Sequence, residues 1–380
     1  MNDPIQPLLE EGVRSGVFPA AQAVVYRFGR RAFQGVAGDA RANTFFDLAS
    51  LTKVMATTPV FMHLWAKGRL GPDTEVRRFF PDAPIAKAGA RLSDLLYHRA
   101  GLPAFVPFFS DVVRAHPGLL DEGCPAALRA QVRAEVVARA VATEPVQRLA
   151  QAALYSDVGF ILLGEILARV GDRPLDELFE AYVATPLELG AHFRRLSRGP
   201  SAKPQDVAPT GHTRPREPAP GQESLWPAFE RTVPARPGEV DDDNAWVLDG
   251  VAGHAGLFGT AHDVARFGQA ILGELEGDSK IAPAVLWERA LNRDPKTPGS
   301  SRAFGFDTPA EPKSSGRYIG DAPPGAVGHL GFTGSSLWID RARSLVVALC
   351  TNRTYNGRGN TQIREFRPRF HDAVVEALRL

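Results

Sequence analysis

The pair in this chain best able to do chemistry is a serine and a lysine three residues apart, Ser50 and Lys53. Both lie in FDLASLTKVMATTPVFMHLWAKGRL, Phe46 to Leu70. Spacing of three puts both side chains on one face of an α-helix, where the Lys53 amine can reach the Ser50 hydroxyl. A serine hydroxyl is a poor nucleophile until a base takes its proton, and lysine is a base only if its pKa falls from about 10.4. Two effects are expected to lower it. The first turn of a helix carries partial positive charge, and apolar neighbours such as Leu51, Val54, Met55 and Phe61 would desolvate the ammonium. The competing reading is Ser50 as a plain helix N-cap with Lys53 solvated beside it. Ser-x-x-Lys alone does not decide, since about one chance match is expected in a chain of this length.

Two further short segments could converge with the first on a cleft. Tyr155-Ser156-Asp157 precedes the apolar run FILLGEIL, with Asp157 placed to N-cap that helix. His329-Leu330-Gly331 reads as strand and leads into Phe332-Thr333-Gly334-Ser335-Ser336.

The elements that must position these segments follow from periodicity. Pro4 to Gly16 reads as an amphipathic helix, and AQAVVYRFGRRAFQGVAG as a hairpin turning at Phe28-Gly29-Arg30. The Ser50 helix should end at Lys67-Gly68, with glycine as the left-handed cap, and kink at Pro59. From Leu70 to Phe193 the chain turns helical, including Ala127 to Thr143. Arg194 to Val240 is rich in proline (Pro200, Pro204, Pro209, Pro215, Pro218, Pro220, Pro227, Pro234, Pro237) and reads as a long loop outside the core, able to wall a substrate site. VAGHAGLFGTAHDVARFGQAILGEL gives a glycine-rich turn and a helix from Ala261 capped by Thr260. RAFGFDT, GAVGHLGFTGSSLWID and SLVVALCTN read as three β-rich runs, and REFRPRFHDAVVEALRL as a closing helix. The expected class is therefore α/β (α+β): an antiparallel sheet built from both chain ends (1–69 and 241–380), flanked by helices, with a mainly α insertion (70–193) and a proline-rich loop (194–240) bordering the cleft.

Composition removes other functions. A net charge of +1 without a basic run gives no electrostatic case for nucleic acid or an anionic membrane surface. No segment approaches 18 uninterrupted apolar residues, so no membrane insertion is expected. The N-terminus lacks the pattern of a secretory leader, which points to the cytoplasm, or to the periplasm if a leader has been removed. Cys124 and Cys350 are far apart and without a Cys/His pair, and read as buried small hydrophobes. Asp241-Asp242-Asp243 lacks the spaced ligands of a calcium loop and reads as a solvated turn. No metal or other cofactor is expected. His98 and His254 read as structural, bonding backbone in tight turns, while Trp246, Phe304, Phe306 and Phe332 could line an apolar acyl pocket.

With FDLASLTKVMATTP, LLYHRAGLP, YSDVGFILLGEIL, GVAGHAGLFGTAHDVARF and GHLGFTGSSLWID in this order, the chain resembles the serine β-lactamase and penicillin-binding-protein superfamily. The resemblance is to its class C-like branch and related family VIII esterases, and it spans Gln22 to Asn352. It implies a helical domain against an α/β domain, Ser50 as acylated nucleophile, Lys53 as base and Tyr155 as second proton carrier. It also implies the His329 strand, through Gly331, as the edge on which substrate lies, and the N–H groups of Ser50 and Phe332 as oxyanion hole. Two departures bear on substrate. Asp157 stands where the class C pattern has asparagine, and His329 where the lactamases have lysine. Both weaken the case for substrates carrying a carboxylate. The expected activity is hydrolysis of small carboxylic esters or amides through an acyl-enzyme. The alternatives are a class C-like β-lactamase, a D-alanyl-D-alanine carboxypeptidase or a D-aminopeptidase on a lactam or amide. A non-catalytic protein binding a peptidoglycan fragment is the rival from another class.

Overall fold

The computed structural model describes residues 4–198, 206–216, 218, 223–311 and 313–380. In chain order its strands are β1 (Ala20–Arg27), β2 (Arg30–Gly38), β3 (Phe46–Asp47), β4 (His192–Phe193), β5 (Thr213–Arg214), β6 (Val233–Pro234), β7 (Leu257–Gly259), β8 (Ala326–Leu330), β9 (Ser336–Asp340) and β10 (Leu345–Thr351). The two chain ends meet in one sheet, ordered β2-β1-β10-β9-β8, with every pairing antiparallel. All of β10, LVVALCT, is buried. Such a continuous apolar run suits a strand covered on both faces. Ala21, Ala23, Val25, Val347 and Leu349 pack with the helices Ile5–Arg14 and Ile363–Ala377, while Ala20, Val24, Val346 and Ala348 belong to the second, larger core. Helix Ala261–Glu276 lies on that second face, its Thr260 N-cap and Asp263 forming a capping box. Gly268 lets it approach: a Cβ there would stand 2.5 Å from Val346 Cγ1. The β1–β2 hairpin turns where expected, with positive φ at both Phe28 (49°) and Gly29 (72°), the geometry that matches strand twist.

Between the sheet segments the chain is helical, as its pattern predicts; Ala126–Val141 and Asp157–Gly171 are the long pieces. A second sheet, β3-β7-β4, ties the end of this helical stretch to the segment just ahead of Ser50.

Several expectations are corrected. The Ser50 segment is helical from Leu51 to Ala66 and ends at Lys67 with Gly68 at φ 67°, as expected, but it is not uniformly α. Leu51, Thr52 and Lys53 donate to Leu48, Ala49 and Ser50 carbonyls, each at 3.0 Å. Lys53–Thr57 then forms a π turn, and an α-helix runs over Thr58–Ala66. Pro59 lies inside this continuous helix just beyond the π turn, and the wide turn absorbs the distortion. RAFGFDT is not a strand: it folds back on itself, Arg302 bridging Asp307, and among the described residues its one bridge to the sheet is between Asp307 and Gly328. GAVGHLGFTGSSLWID splits into β8 and β9 about a turn at residues 331–335, closed by the Gly331 N–H donating to the Ser335 carbonyl at 2.7 Å. The proline-rich stretch does feed the core, through Val207, Ala208 and Trp226; Pro200, Pro204 and Pro220 lie outside the described residues. Cys350 is buried as expected, whereas Cys124 is only partly so.

Candidate active site

Ser50 follows a backbone turn that the sequence must force. Ala49, a residue with a Cβ, sits at φ 47°, in the left-handed region that disfavours it. Asp47 holds it there. One carboxylate oxygen accepts the Ala49 N–H at 2.8 Å, the other the Asp241 N–H at 2.6 Å, and the Asp47 carbonyl accepts the Thr333 hydroxyl at 2.7 Å. Full burial, together with the charge of Asp241, pushes the Asp47 carboxyl up to about 7 against the pull of those N–H donors. The sequence reading missed Asp47; an aspartate two residues before a turn position was the available clue.

Lys53 Nζ lies 3.0 Å from Ser50 Oγ, 2.7 Å from Asp157 Oδ1 and 3.1 Å from the His254 carbonyl. Three acceptors match the three donors of an ammonium. Close packing makes the third possible: a Cβ on Gly253 would stand 2.0 Å from the Phe160 carbonyl, so only glycine lets this loop reach Lys53. Burial of Lys53 is complete, and on its own would lower the amine. The charge of Asp157, joined by that of Tyr155 once it ionises, outweighs it, and the Lys53 pKa is raised rather than depressed as the sequence suggested.

Tyr155 donates to Ser50 Oγ at 2.8 Å. Its ring packs beside His98, with centroids 4.7 Å apart, and the Arg302 guanidinium lies 4.9 Å from its centroid. Burial, only partly offset by Lys53, raises the phenol. The resting site is thus an ammonium and a neutral phenol, both aimed at one serine oxygen. His98 is structural as expected: its Nδ1 accepts the Ser156 N–H at 3.0 Å, and burial holds its pKa well below the usual value. Asp157 is not the N-cap of its helix. Ser156 caps it, accepting the Gly159 N–H, which leaves Asp157 free to bind Lys53.

The β8 edge completes the arrangement. His329 is 2% exposed; its Nδ1 faces the Leu330 carbonyl at 2.8 Å, which requires the proton on Nδ1. Burial, reinforced by Lys53 and Arg302, holds it neutral, well below its ordinary pKa. Gly331 is buried and Phe332 exposed. Neither the Ser50 nor the Phe332 N–H donates to any group among the described residues.

These groups line a cleft of about 610 Å³ that also takes in Phe105, Phe109, Leu225 and Trp226, a size suited to a small molecule. Of the expected pocket aromatics only Phe332 lies there; Trp246, Phe304 and Phe306 are core residues. The run Asp241–Asp243 is not a solvated turn. Asp241 and Asp243 are buried against Arg214, Arg216 and Arg358. Nor does His254 merely bond backbone, since its Nε2 pairs with Asp242 at 2.9 Å.

A family model described as Beta-lactamase matches residues 5–367. The chain belongs to the beta-lactamase family. It is a serine hydrolase of that family, with the mixed helix and antiparallel-sheet fold of penicillin-binding-protein relatives. A putative D-alanyl-D-alanine carboxypeptidase of Escherichia coli (strain K12) is 29% identical over 336 residues, covering 83% of this chain and 71% of that protein. Among solved structures, the D-amino acid amidase from Ochrobactrum anthropi SV3 is similar at TM-score 0.71 and 21% identity, over 100% of this chain and 99% of that one. The octameric penicillin-binding protein homologue from Pyrococcus abyssi gives 0.69 and 19%, over 99% and 76%. EstCE1, a hydrolase with promiscuous acyltransferase activity, gives 0.64 and 20%, over 96% and 97%. No helix among the described residues of this beta-lactamase family member is long and apolar enough to cross a membrane.

Proposed function

We propose that this chain hydrolyses small neutral carboxylic esters or amides through an acyl-enzyme on Ser50. The observation that carries the reading is the convergence of Lys53 and Tyr155 on Ser50 Oγ, at 3.0 and 2.8 Å, in an open cleft. Once the Lys53–Tyr155 pair has released one proton, the Lys53 ammonium stabilises a Tyr155 phenolate, and Ser50 attacks the carbonyl as its proton passes to that phenolate and restores the phenol. The unpaired Ser50 and Phe332 N–H groups receive the oxyanion, each worth about 3–4 kcal/mol by analogy with other acyl-transfer enzymes. Tyr155 returns the proton to the leaving group, and water then releases the acid. A neutral His329 where a lysine would bind a carboxylate favours a neutral substrate. The cleft would lie between the sheet unit (1–69 and 241–380) and the helical insertion (70–193), with residues 194–240 along its border.

A second reading, a D-alanyl peptide or a β-lactam, is favoured by one observation. Arg353 and Arg367 line the cleft and, among the described residues, have carbonyl oxygens as their only hydrogen-bond partners and no ion pair with a carboxylate. Intact mass after exposure to a fluorophosphonate, with a Ser50→Ala control and a parallel penicillin incubation, separates the readings. Labelling of the wild type alone without a penicillin adduct supports the esterase. A lasting penicillin adduct supports the peptidase, and no labelling would sink both.

A further inference from the structure

Asp47 is buried and ends strand β3, two residues ahead of the left-handed turn at Ala49. No cation among the described residues pairs with it. Its carboxylate is spent on backbone instead, one oxygen accepting the Ala49 N–H and the other the Asp241 N–H. Only a carboxylate fills both places, because an amide of the same shape would turn a donor toward one of the two N–H groups. Asp241 is a firm anchor, since Arg216 and Arg358 both hold its side chain.

The main chain of the same residue reaches the second turn of the cleft. The Asp47 carbonyl accepts the hydroxyl of Thr333, which is fully buried. One residue along, the two segments touch directly: a Cβ on Gly331 would stand 2.8 Å from the Leu48 carbonyl. Arg353 braces this turn, its Nε donating to the Phe332 carbonyl at 2.7 Å and its backbone N–H to the Thr333 carbonyl at 3.0 Å. Asp47 thus binds the residue before Ser50 with its side chain and the residue after Phe332 with its main chain. Those two residues flank the N–H groups assigned to the oxyanion.

We infer that Asp47 is the positioning residue of the oxyanion hole, holding the Ser50 and Phe332 N–H groups at the spacing and direction that acyl transfer requires. The inference rests on the Ser50 acyl-enzyme reading and deepens it. Ala49 explains why a tether is needed. A residue with a Cβ leaves the left-handed region when nothing holds it there, and its relaxation would swing the Ala49–Ser50 peptide and with it the Ser50 N–H. Glycine rests in that region at little cost. Loss of Asp47 should therefore be repaired in part by Ala49→Gly, an outcome that a general packing or charge role for Asp47 does not predict.

The test follows hydrolysis of phenyl acetate at pH 9, where the Asp47 carboxyl, pushed up to about 7, is ionised. The folded fraction of each variant is fixed by denaturant titration. Asp47→Ala should lower kcat by about 10²–10³-fold, the cost of losing one oxyanion donor, with KM kept within about threefold. Trifluoromethyl phenyl ketone bonds Ser50 Oγ through its carbonyl carbon; the carbonyl electron pair goes to its oxygen, and the serine proton to the Lys53–Tyr155 pair. Its inhibition should weaken by a similar factor, whereas the unreactive methyl phenyl ketone should bind as before. The double variant D47A/A49G should regain about tenfold in kcat or more, as release of a strained backbone position allows. A D47A that keeps its kcat, loses activity only through KM, or is not improved by A49G overturns the inference.

Thr333→Val probes the other arm without touching the Asp47 side chain, and it answers even if D47A does not fold. Removing that hydroxyl should lower kcat by about tenfold at unchanged KM, and an unchanged kcat would count against Asp47 equally. Fluorophosphonate labelling of wild-type Ser50, read by intact mass, separates the two levels of the argument. No labelling removes the acyl-enzyme reading itself. Normal labelling, with D47A and T333V as active as wild type, removes Asp47 from the oxyanion hole and leaves that reading standing.

Discussion

Two buried clusters of opposite charges meet at the cleft, and they are built differently. Around Lys53 one cation is surrounded by three acceptors, two of them from within a few residues of motifs that can be read along the chain. Around Asp241 and Asp243 three arginines arrive from residues 214, 216 and 358, over a hundred positions apart at the extremes. The first cluster holds a lysine charged beside a nucleophile. The second clamps the loop that presents Asp242 and, through the Asp241 N–H on Asp47, the strained turn before Ser50. On the proposed mechanism one cluster carries the chemistry and the other fixes its geometry, so breaking each should damage a different observable.

The largest effect is expected at Lys53. Lys53→Met removes the cation that supports a Tyr155 phenolate and leaves Asp157 without its partner. The acylation rate of Ser50 by a short activated ester should fall by about 10²–10⁴-fold, the usual span for a positioned acid–base group. A loss within about threefold in single-turnover measurements would show that Lys53 has no part in proton transfer. Next comes Arg358→Met, which leaves Asp241 and Asp243 with only Arg216 and Arg214. Unfolding free energy from denaturant titration should drop by about 3 kcal/mol, as for a broken buried ion pair. Acylation by the fraction still folded should change far less. A negligible stability loss would mean that the cluster is screened by solvent, as the bare sequence suggested.

That suggestion shows where reading the chain stops. Ser50 and Lys53, Tyr155 and Asp157, and His329 with Gly331 were visible because each set is local, and helix or strand geometry fixes its members relative to one another. The sheet was visible for the same reason, since β1, β2 and β10 are apolar runs bounded by turn residues. Asp241–Asp243 looked like a solvated turn because three adjacent acids are usually exposed, and nothing nearby announces their arginines. RAFGFDT looked like a strand by composition, but Arg302 and Asp307 pair across it and fold it back. The sign of the Lys53 shift depended on Asp157, 104 residues away, and so could not be had from the flanking apolar residues alone.

The smallest expected change is also the sharpest test of that sign. Both Lys53 and Tyr155 are raised above their ordinary values, so at neutral pH the pair holds one proton more than catalysis by a phenolate requires. Because the two groups interact, the proton leaves the pair rather than either residue. Activity should climb with pH through the alkaline range, at close to one decade per pH unit, until that proton is lost. Asp157→Asn keeps an oxygen for the Lys53 N–H while removing the negative charge. The charged form of Lys53 is then less favoured, the proton leaves more readily, and the alkaline limb of kcat/KM should move down by about 1 pH unit or more. If the mutation instead moves the limb upward, Asp157 does not hold the proton on Lys53. If the wild-type profile is flat from neutral pH upward, the proton that limits acylation is not held by the Lys53–Tyr155 pair, and the base must be sought elsewhere around Ser50.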